Sequence, residues 1–405
     1  MSNIIEKIDK ERILRDPMYG NISVEYQIIW DLINTKEFQR LRRIKQLSGV
    51  QIVFHTAEHS RFSHSIGTYH IANRFVKESA LRDYFNEEEK VLFLVAALIH
   101  DIGHGPFSHA FERAFAINHE EMTMRIINEN TEIGLVLSKY QGLQQDLTSI
   151  FRHTGKHPII ESLISSQLDV DRLDYLNRDA NSTNANYGYV DVDRIIRILR
   201  IVDGNVCYLE KGINTIENYL MSRYHMYWQI YYHNKARGYE LLLEFIYKYI
   251  GDNKENIVGH NAFIKFIDEN SDLNSYLMLD DYYVVGMILE YANSEDKFLA
   301  YLCNCFLNRH LFADRKIRND EDIQFNLELV NRNMNNPYFK YLYKAEEVSQ
   351  VAYLNSQRGT PVSDILILVD DKLVTLDKAS KVVESLLESG KKSERKIFYD
   401  ERKLQ

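Results

Sequence analysis

The chain has 405 residues, of which 45% are apolar and 26% charged, a balance suited to a globular protein with ample core. Its net charge of -9 argues against a dominant, sequence-indifferent nucleic-acid binder, whose footprint would be basic. Three cysteines, Cys207, Cys303 and Cys305, are too few and too clustered for a disulfide framework. No apolar run approaches the roughly 18 residues of a membrane span and no signal-like pattern opens the sequence, so a cytoplasmic protein without a membrane partner is expected.

In chain order, residues 1–50 mix a short extended segment, Ile22-Ser23-Val24, with an amphipathic helix through Ile28-Ile29-Trp30-Asp31-Leu32-Ile33. Arg40, Arg42, Arg43 and Lys45 crowd the end of this region, as Arg194, Arg197 and Arg200 do later, and either set could meet polyphosphate. From about 60 to 250 the apolar spacing of three and four predicts an almost wholly helical body, with few prolines to interrupt it. One hairpin, a small embellishment, is expected at Ile201–Leu209, where Asp203-Gly204-Asn205 separates two apolar runs. Residues 255–330 read as further helices. Alternating runs at Ile365–Val369, Leu373–Leu376 and Lys396–Tyr399 predict a small α+β lobe over 335–405, and Lys391–Lys396 reads as a surface loop. The expected organisation is an N-terminal segment (1–50), a core (51–250), a helical extension (251–334) and the C-terminal lobe (335–405); the fold class is mainly α.

Four words carry the chemistry: Arg61-Phe62-Ser63-His64, the run from His100 to His109, Asn118-His119-Glu120, and Asp169-Val170-Asp171-Arg172. The apolar stretch Val91–Ile99 delivers His100-Asp101 directly into a glycine-rich turn, and polar groups at the end of a core helix are costly unless something binds them. His64, His100, Asp101 and Asp171 supply two imidazoles and two carboxylates, a donor set for a divalent metal that activates water. This mixture suits Fe, Mn, Zn or Mg alike. Further on, Asp171, Tyr175 and Asp179 follow at intervals of four along one helix face. Arg223, Tyr227 and Tyr231 repeat the device, a platform for a base or sugar with a phosphate clamp.

These words resemble the HD-domain deoxynucleoside triphosphate triphosphohydrolases, the bacterial dNTPases and the animal sterile-alpha-motif/HD-domain enzyme. The similarity runs over at least residues 15–240, most specifically in Gln-Arg-Leu-Arg-Arg-Ile-Lys-Gln-Leu (39–47) and Asp-Val-Asp-Arg-Leu-Asp-Tyr (169–175). It implies an HD helical core and metal-dependent hydrolysis of a dNTP to deoxynucleoside and triphosphate. The metal ligands fall on His64, His100, Asp101 and Asp171, and the α-phosphate and catalytic residues on Arg61, His104, His109 and His119, with Glu120 and Glu112 as supporting carboxylates. Sugar reading falls on Gln46 and Asp179, exclusion of ribose on Tyr175, the γ-phosphate clamp on Arg172, Tyr175 and Arg223, and base stacking on Tyr231. A regulatory guanine-nucleotide site, with GTP or dGTP as effector, falls on Gln39, Arg42, Arg194 and Lys211. There Asn34 replaces an Asp of the animal enzyme, and an amide cannot accept from both guanine donors. Arg172 replaces a Lys, exchanging a point cation for a fork. The resemblance further implies a homotetramer.

Two other readings compete. One is a different HD phosphohydrolase, such as a nucleotidase, phosphodiesterase or alarmone hydrolase. The other is a non-catalytic nucleotide sensor or single-stranded nucleic-acid binder on the same fold.

Overall fold

The three-and-four spacing resolves into a succession of helices, joined by three small sheets that draw on distant parts of the chain. The computed structural model describes residues 4–257, 259–268, 272–350, 353, 364–388 and 390–404. An antiparallel hairpin, β1 (Lys7–Asp16) and β2 (Gly20–Tyr26), opens the chain and runs into α1 (Gln27–Ile33) and α2 (Lys36–Arg40). The body then comprises α3 (Arg61–Glu78), α4 (Leu81–Tyr84), α5 (Glu87–Ile99), α6 (His109–Phe115), α7 (His119–Asn128), α8 (Glu132–Leu137), α9 (Leu143–Phe151), α10 (Pro158–Ile164), α11 (Val170–Thr183), α12 (Val192–Ile198), α13 (Ile213–Met226) and α14 (Asn234–Asp252).

Local chemistry sets the ends that matter. Ser60 caps α3, its hydroxyl accepting from the Ser63 N–H, so Arg61 and His64 begin the helix one turn apart on the same face. A capping box of Asn86 and Glu89 starts α5, and all nine residues from Val91 to Ile99 are buried. Asp169 caps α11 by accepting from the Arg172 N–H. Helices α3 and α11 approach closely because Gly67 lacks a side chain: a Cβ there would stand 1.9 Å from Asp174 Oδ1.

The hairpin β3 (Leu199–Val202) and β4 (Asn205–Leu209) forms where the sequence predicts it, but it is no embellishment. It nucleates a four-stranded sheet in the order β3-β4-β7-β8, with β7 (Leu366–Val369) parallel to β4 and β8 (Lys372–Thr375) antiparallel to β7. The region read as purely helical holds α15 (Asn261–Asp268), α16 (Leu273–Met278), α17 (Asp281–Tyr291), α18 (Lys297–Leu307) and α19 (Asp320–Asn333), interrupted by β5 (Ala313–Ile317). That strand joins β6 (Tyr343–Gln350) and β9 (Lys392–Tyr399) in a sheet of order β5-β9-β6, while short α20 (Leu376–Ala379) packs against β7, β8 and α21 (Lys381–Glu388) on the flank of the other sheet. The C-terminal strands thus pair across the boundary expected near 334.

The stretch Lys392–Lys396, read as loop, is the charged half of the central strand β9. Opposite charges on its neighbours accommodate it: Lys316 lies 2.9 Å from Glu394, and Arg395 3.0 Å from Glu347. The cation cluster of residues 40–45 is likewise engaged within the chain. Arg40 is fully buried and donates to the carbonyls of His104 (2.8 Å) and Leu279 (2.9 Å), Arg43 pairs with Asp280 at 2.5 Å, and Lys45 pairs with Glu58. Among the described residues no helix is long and apolar enough to cross a membrane.

Candidate metal centre and cleft

Helix α3, the end of α5 and the start of α11 bring His64, His100, Asp101 and Asp171 to one point. His64 Nε2 lies 3.2 Å from His100 Nε2, 3.0 Å from Asp171 Oδ1 and 3.6 Å from Asp101 Oδ2. His100 Nε2 lies 3.3 Å from Asp101 Oδ1 and 3.6 Å from Asp171 Oδ1. Both Nδ1 atoms are committed elsewhere, His64 to Asp174 at 2.8 Å and His100 to the Ala97 carbonyl at 2.9 Å. Two imidazole nitrogens therefore face each other and two carboxylates in a buried space, an arrangement that a cation relieves. The donor set fits a divalent metal of the Fe, Mn, Zn or Mg kind. Burial opposes the carboxylate charge of Asp171, but His100 and His64 hold it well below the usual range.

Asp174, absent from the sequence-derived set, orients this centre. It is fully buried and accepts from His64 Nδ1, from Tyr19 Oη at 2.8 Å, and from Arg178 Nε and Nη2 at 2.9 and 3.0 Å. Burial alone would raise its carboxyl, yet Arg178 and His64 bring it down to about 2. Arg178 also donates to Asp16 at 2.9 Å, so β1 braces the metal ligand from outside.

A second cluster lies beside the first. His104 and His119 stack with ring centroids 3.9 Å apart, and Glu112 is the carboxylate they share: its oxygens lie 2.7 Å from His104 Nδ1, 3.1 Å from His119 Nδ1 and 3.1 Å from His109 Nδ1. The approach of His104 is close without hydrogen-bond alignment. Because the three Nδ1 atoms converge on an existing anion, this group reads as oriented imidazoles rather than a second metal site. Burial disfavours the Glu112 charge, but the three histidines hold it well below its ordinary 4.5. Burial, then Arg61 and His119, push His104 down to about 3, so its ring stays neutral at physiological pH. Glu120, the other expected carboxylate, is exposed and shares with His100, Asp101, His119 and Asp171 the lining of a small cleft of about 90 Å³.

The loop joining the clusters is strained, with Phe107 and Ser108 at φ +53° and +49°, a region L-residues rarely occupy. Three contacts hold it. Asp281 Oδ1 accepts from the Phe107 N–H at 2.6 Å, Ser108 Oγ accepts from Arg61 Nε at 2.7 Å, and Ser108 Oγ donates to the Lys45 carbonyl at 3.2 Å. Arg61 also pairs with Asp101, which sets its guanidinium beside the metal ligands.

A cleft of about 400 Å³ opens from this floor. Arg61, His104, His109, His119, Gln46, Arg172, Tyr175, Asp179, Tyr227 and Tyr231 all line it, joined by Arg113, Tyr232 and Glu240, which sequence reasoning did not assign. Among the described residues, Gln46 Oε1 is buried there without a partner. Arg223 is not in the lining; it is buried, with Nη1 3.4 Å from the Gln167 carbonyl. A π-helical turn over Tyr227–Tyr231 follows α13, and the residues at both its ends line the cleft. The expected regulatory residues form two groups on different elements. Gln39 links to Arg42 at 2.8 Å near Asn34, and Arg194 donates to the Lys211 carbonyl at 3.1 Å.

A helical body with a buried His/Asp centre, flanked by oriented histidines and an arginine, defines a metal-dependent phosphohydrolase. The HD domain family matches residues 61–179, and its HD associated region residues 190–312. The chain belongs to the HD-domain phosphohydrolases. It is 36% identical over 404 residues to the protein YwfO of Bacillus subtilis, covering 97% of this chain and 93% of that one. It is 28% identical over 291 residues to the deoxynucleoside triphosphate triphosphohydrolase SAMHD1 homologue of Dictyostelium discoideum, covering 67% of this chain and about half (53%) of the relative. The crystal structure of a phosphohydrolase from Bacteroides thetaiotaomicron superimposes with a TM-score of 0.84 at 26% identity, over 96% of this chain and all of that one (100%).

Proposed function

We propose that the protein hydrolyses deoxynucleoside triphosphates to deoxynucleoside and inorganic triphosphate. The observation that carries this reading is the cleft itself, where phosphate-directed groups and a buried acceptor unpartnered among the described residues, Gln46 Oε1, share the lining with Asp179 and four tyrosines. A buried acceptor without a donor is costly, and a sugar hydroxyl is a donor of the right kind. The Dictyostelium relative, a deoxynucleoside triphosphate triphosphohydrolase by name, supports the same substrate class.

In this reaction water forms the new bond to the α-phosphorus, and the bond from that phosphorus to the 5′-oxygen breaks. When bound, the metal supplies Lewis acidity toward water and the phosphoryl oxygens. Arg61 brings a fixed positive charge and neutral His104 a hydrogen-bonding ring to the α-phosphate. His109 donates a proton to the departing 5′-oxygen, and His119, oriented by Glu112, relays it. Arg172 binds the distal phosphates, Tyr175 crowds the 2′ position against ribose, and Tyr231 stacks on the base. Arg223, behind the wall, supports that clamp indirectly. Regulation by a guanine nucleotide at Asn34, Gln39, Arg42, Arg194 and Lys211, and assembly into a homotetramer, complete the proposal; the two separate groups of residues would then meet across subunits.

The test is incubation of Mn-loaded protein with each dNTP and its ribonucleotide, alone and with GTP or dGTP, beside a His100→Ala/Asp101→Ala control. Intact triphosphate from dNTPs, absent in the control, is the expected result. Release of orthophosphate or pyrophosphate would favour another HD phosphohydrolase, and binding without product would favour a sensor.

A further inference from the structure

Behind the cleft wall, His59 touches both residues assigned to sugar reading. Its Nε2 lies 2.9 Å from Asp179 Oδ1, and its carbonyl accepts from the Gln46 N–H at 3.0 Å. The backbones of residues 44–46 and 59–61 form a short antiparallel contact, with Lys45 paired to Ser60 and the Arg61 N–H donating to Ile44 at 2.8 Å. His59 is therefore fixed to Gln46 through the main chain and to Asp179 through the side chain. It is not itself part of the cleft lining, and it precedes the residues the HD domain family matches.

Among the described residues His59 Nδ1 is buried without a partner, whereas Nε2 faces a carboxylate, which can only accept, so the Nε2 N–H is donated to Asp179. Tyr231 Oη donates to the other oxygen, Asp179 Oδ2, at 2.7 Å. With a donor on each oxygen, the Asp179 carboxylate cannot turn about its terminal torsion, and its remaining lone pairs can only accept. A carboxylate held this way selects a ligand that donates.

We propose that His59 is a positioning residue for substrate discrimination: by clamping Asp179 it sets how strongly the cleft distinguishes a 3′-hydroxyl from a 3′-deoxy sugar. This rests on the deoxynucleotide reading given above.

The test compares kcat/KM for a dNTP and the 2′,3′-dideoxynucleotide of the same base, in the wild-type protein and in His59→Ala, His59→Gln and Asp179→Asn. The wild type is expected to favour the 3′-hydroxyl substrate. His59→Ala is expected to lose about tenfold toward the dNTP, carried by KM, and much less toward the dideoxynucleotide, so the ratio falls; Asp179→Asn lowers it in the same way. His59→Gln, with an amide donor, is expected to regain part of the ratio even if the alanine variant folds poorly. Equal losses toward both substrates, or an unchanged ratio, would overturn the assignment. Silence of the wild-type protein toward both nucleotides would instead overturn the deoxynucleotide reading, and this inference with it.

Discussion

Asp174→Asn is the most informative single change, because the substitution keeps shape and removes only charge and one acceptor. In the native protein both carboxylate oxygens accept: Oδ2 from His64 Nδ1 and Arg178 Nε, Oδ1 from Tyr19 Oη and Arg178 Nη2. An amide must aim its NH2 at one of these sides, where it meets at least one donor of Arg178 whichever way it is flipped. Uncoupling a buried pair by removing one charge costs about 3–5 kcal/mol, and loss of an outer partner of a metal-bound histidine typically weakens metal affinity about 10–100-fold. Mn titration by calorimetry, together with melting in chelator and in metal, separates the two effects. We expect weaker metal binding and a lower melting temperature in both conditions. Native metal affinity in the variant would refute the claim that Asp174 orients His64, whatever happened to stability.

Other expectations follow from the neighbouring contacts. Glu112→Gln should lower kcat by about 10–100-fold through disorientation of three imidazoles. Because the Glu112 carboxyl is held below its ordinary 4.5, its contribution to stability is present above that pH and lost as pH falls, so urea midpoints of the variant should depend less on pH in that acid range. Asp281 behaves oppositely. Burial, only partly offset by the Lys45 and Phe107 N–H groups, raises its carboxyl from 3.8 to about 7, so the folded state retains a proton across that window and loses stability as pH rises through it. The slope amounts to something on the order of 4 kcal/mol at 1.36 kcal/mol per pH unit, and Asp281→Asn should abolish it in the same urea series. Gly103→Ala should destabilise by about 1–3 kcal/mol or more and lower activity, since its Cβ would stand 2.0 Å from the His119 carbonyl and 2.4 Å from the Thr123 nitrogen. Gly251→Ala, with nothing within 4 Å inside α14, should leave the melting temperature level or slightly higher.

The inner donor set was legible because the apolar run ending in His100-Asp101 sets two polar side chains at the edge of the core, where only a bound partner offsets their desolvation. Its support was not. Asp174 stands three residues after Asp171 and four before Arg178, the spacing of any solvated helical ion pair, and only the approach of α3 at Gly67 reveals its task. Glu120, next to His119 along the chain, was the first expectation for its carboxylate, but the turn between α6 and α7 brings Glu112 to the ring instead, at 3.1 Å. Arg223 lies within α13 and faces the Gln167 carbonyl rather than the cleft, a packing choice that steps of four along one helix do not reveal. In the fold, helices were clear from their period and Lys396–Tyr399 read as strand, whereas the charged half of β9 was hidden because its residues are neutralised by partners on β5 and β6 that lie far away in sequence.

The parallel pairing of β4 with β7 also has a meaning in time. Roughly 150 residues separate the two strands, and at synthesis rates of about 5–20 residues per second the ribosome needs on the order of ten seconds to deliver the second after the first. The helical body can assemble meanwhile, but the β3–β4 hairpin waits with an open edge on β4, a template for mispairing with other nascent chains. The sheet is thus completed long after the metal ligands are made, and a chain interrupted before residue 366 would carry every metal ligand and still present an unfinished sheet.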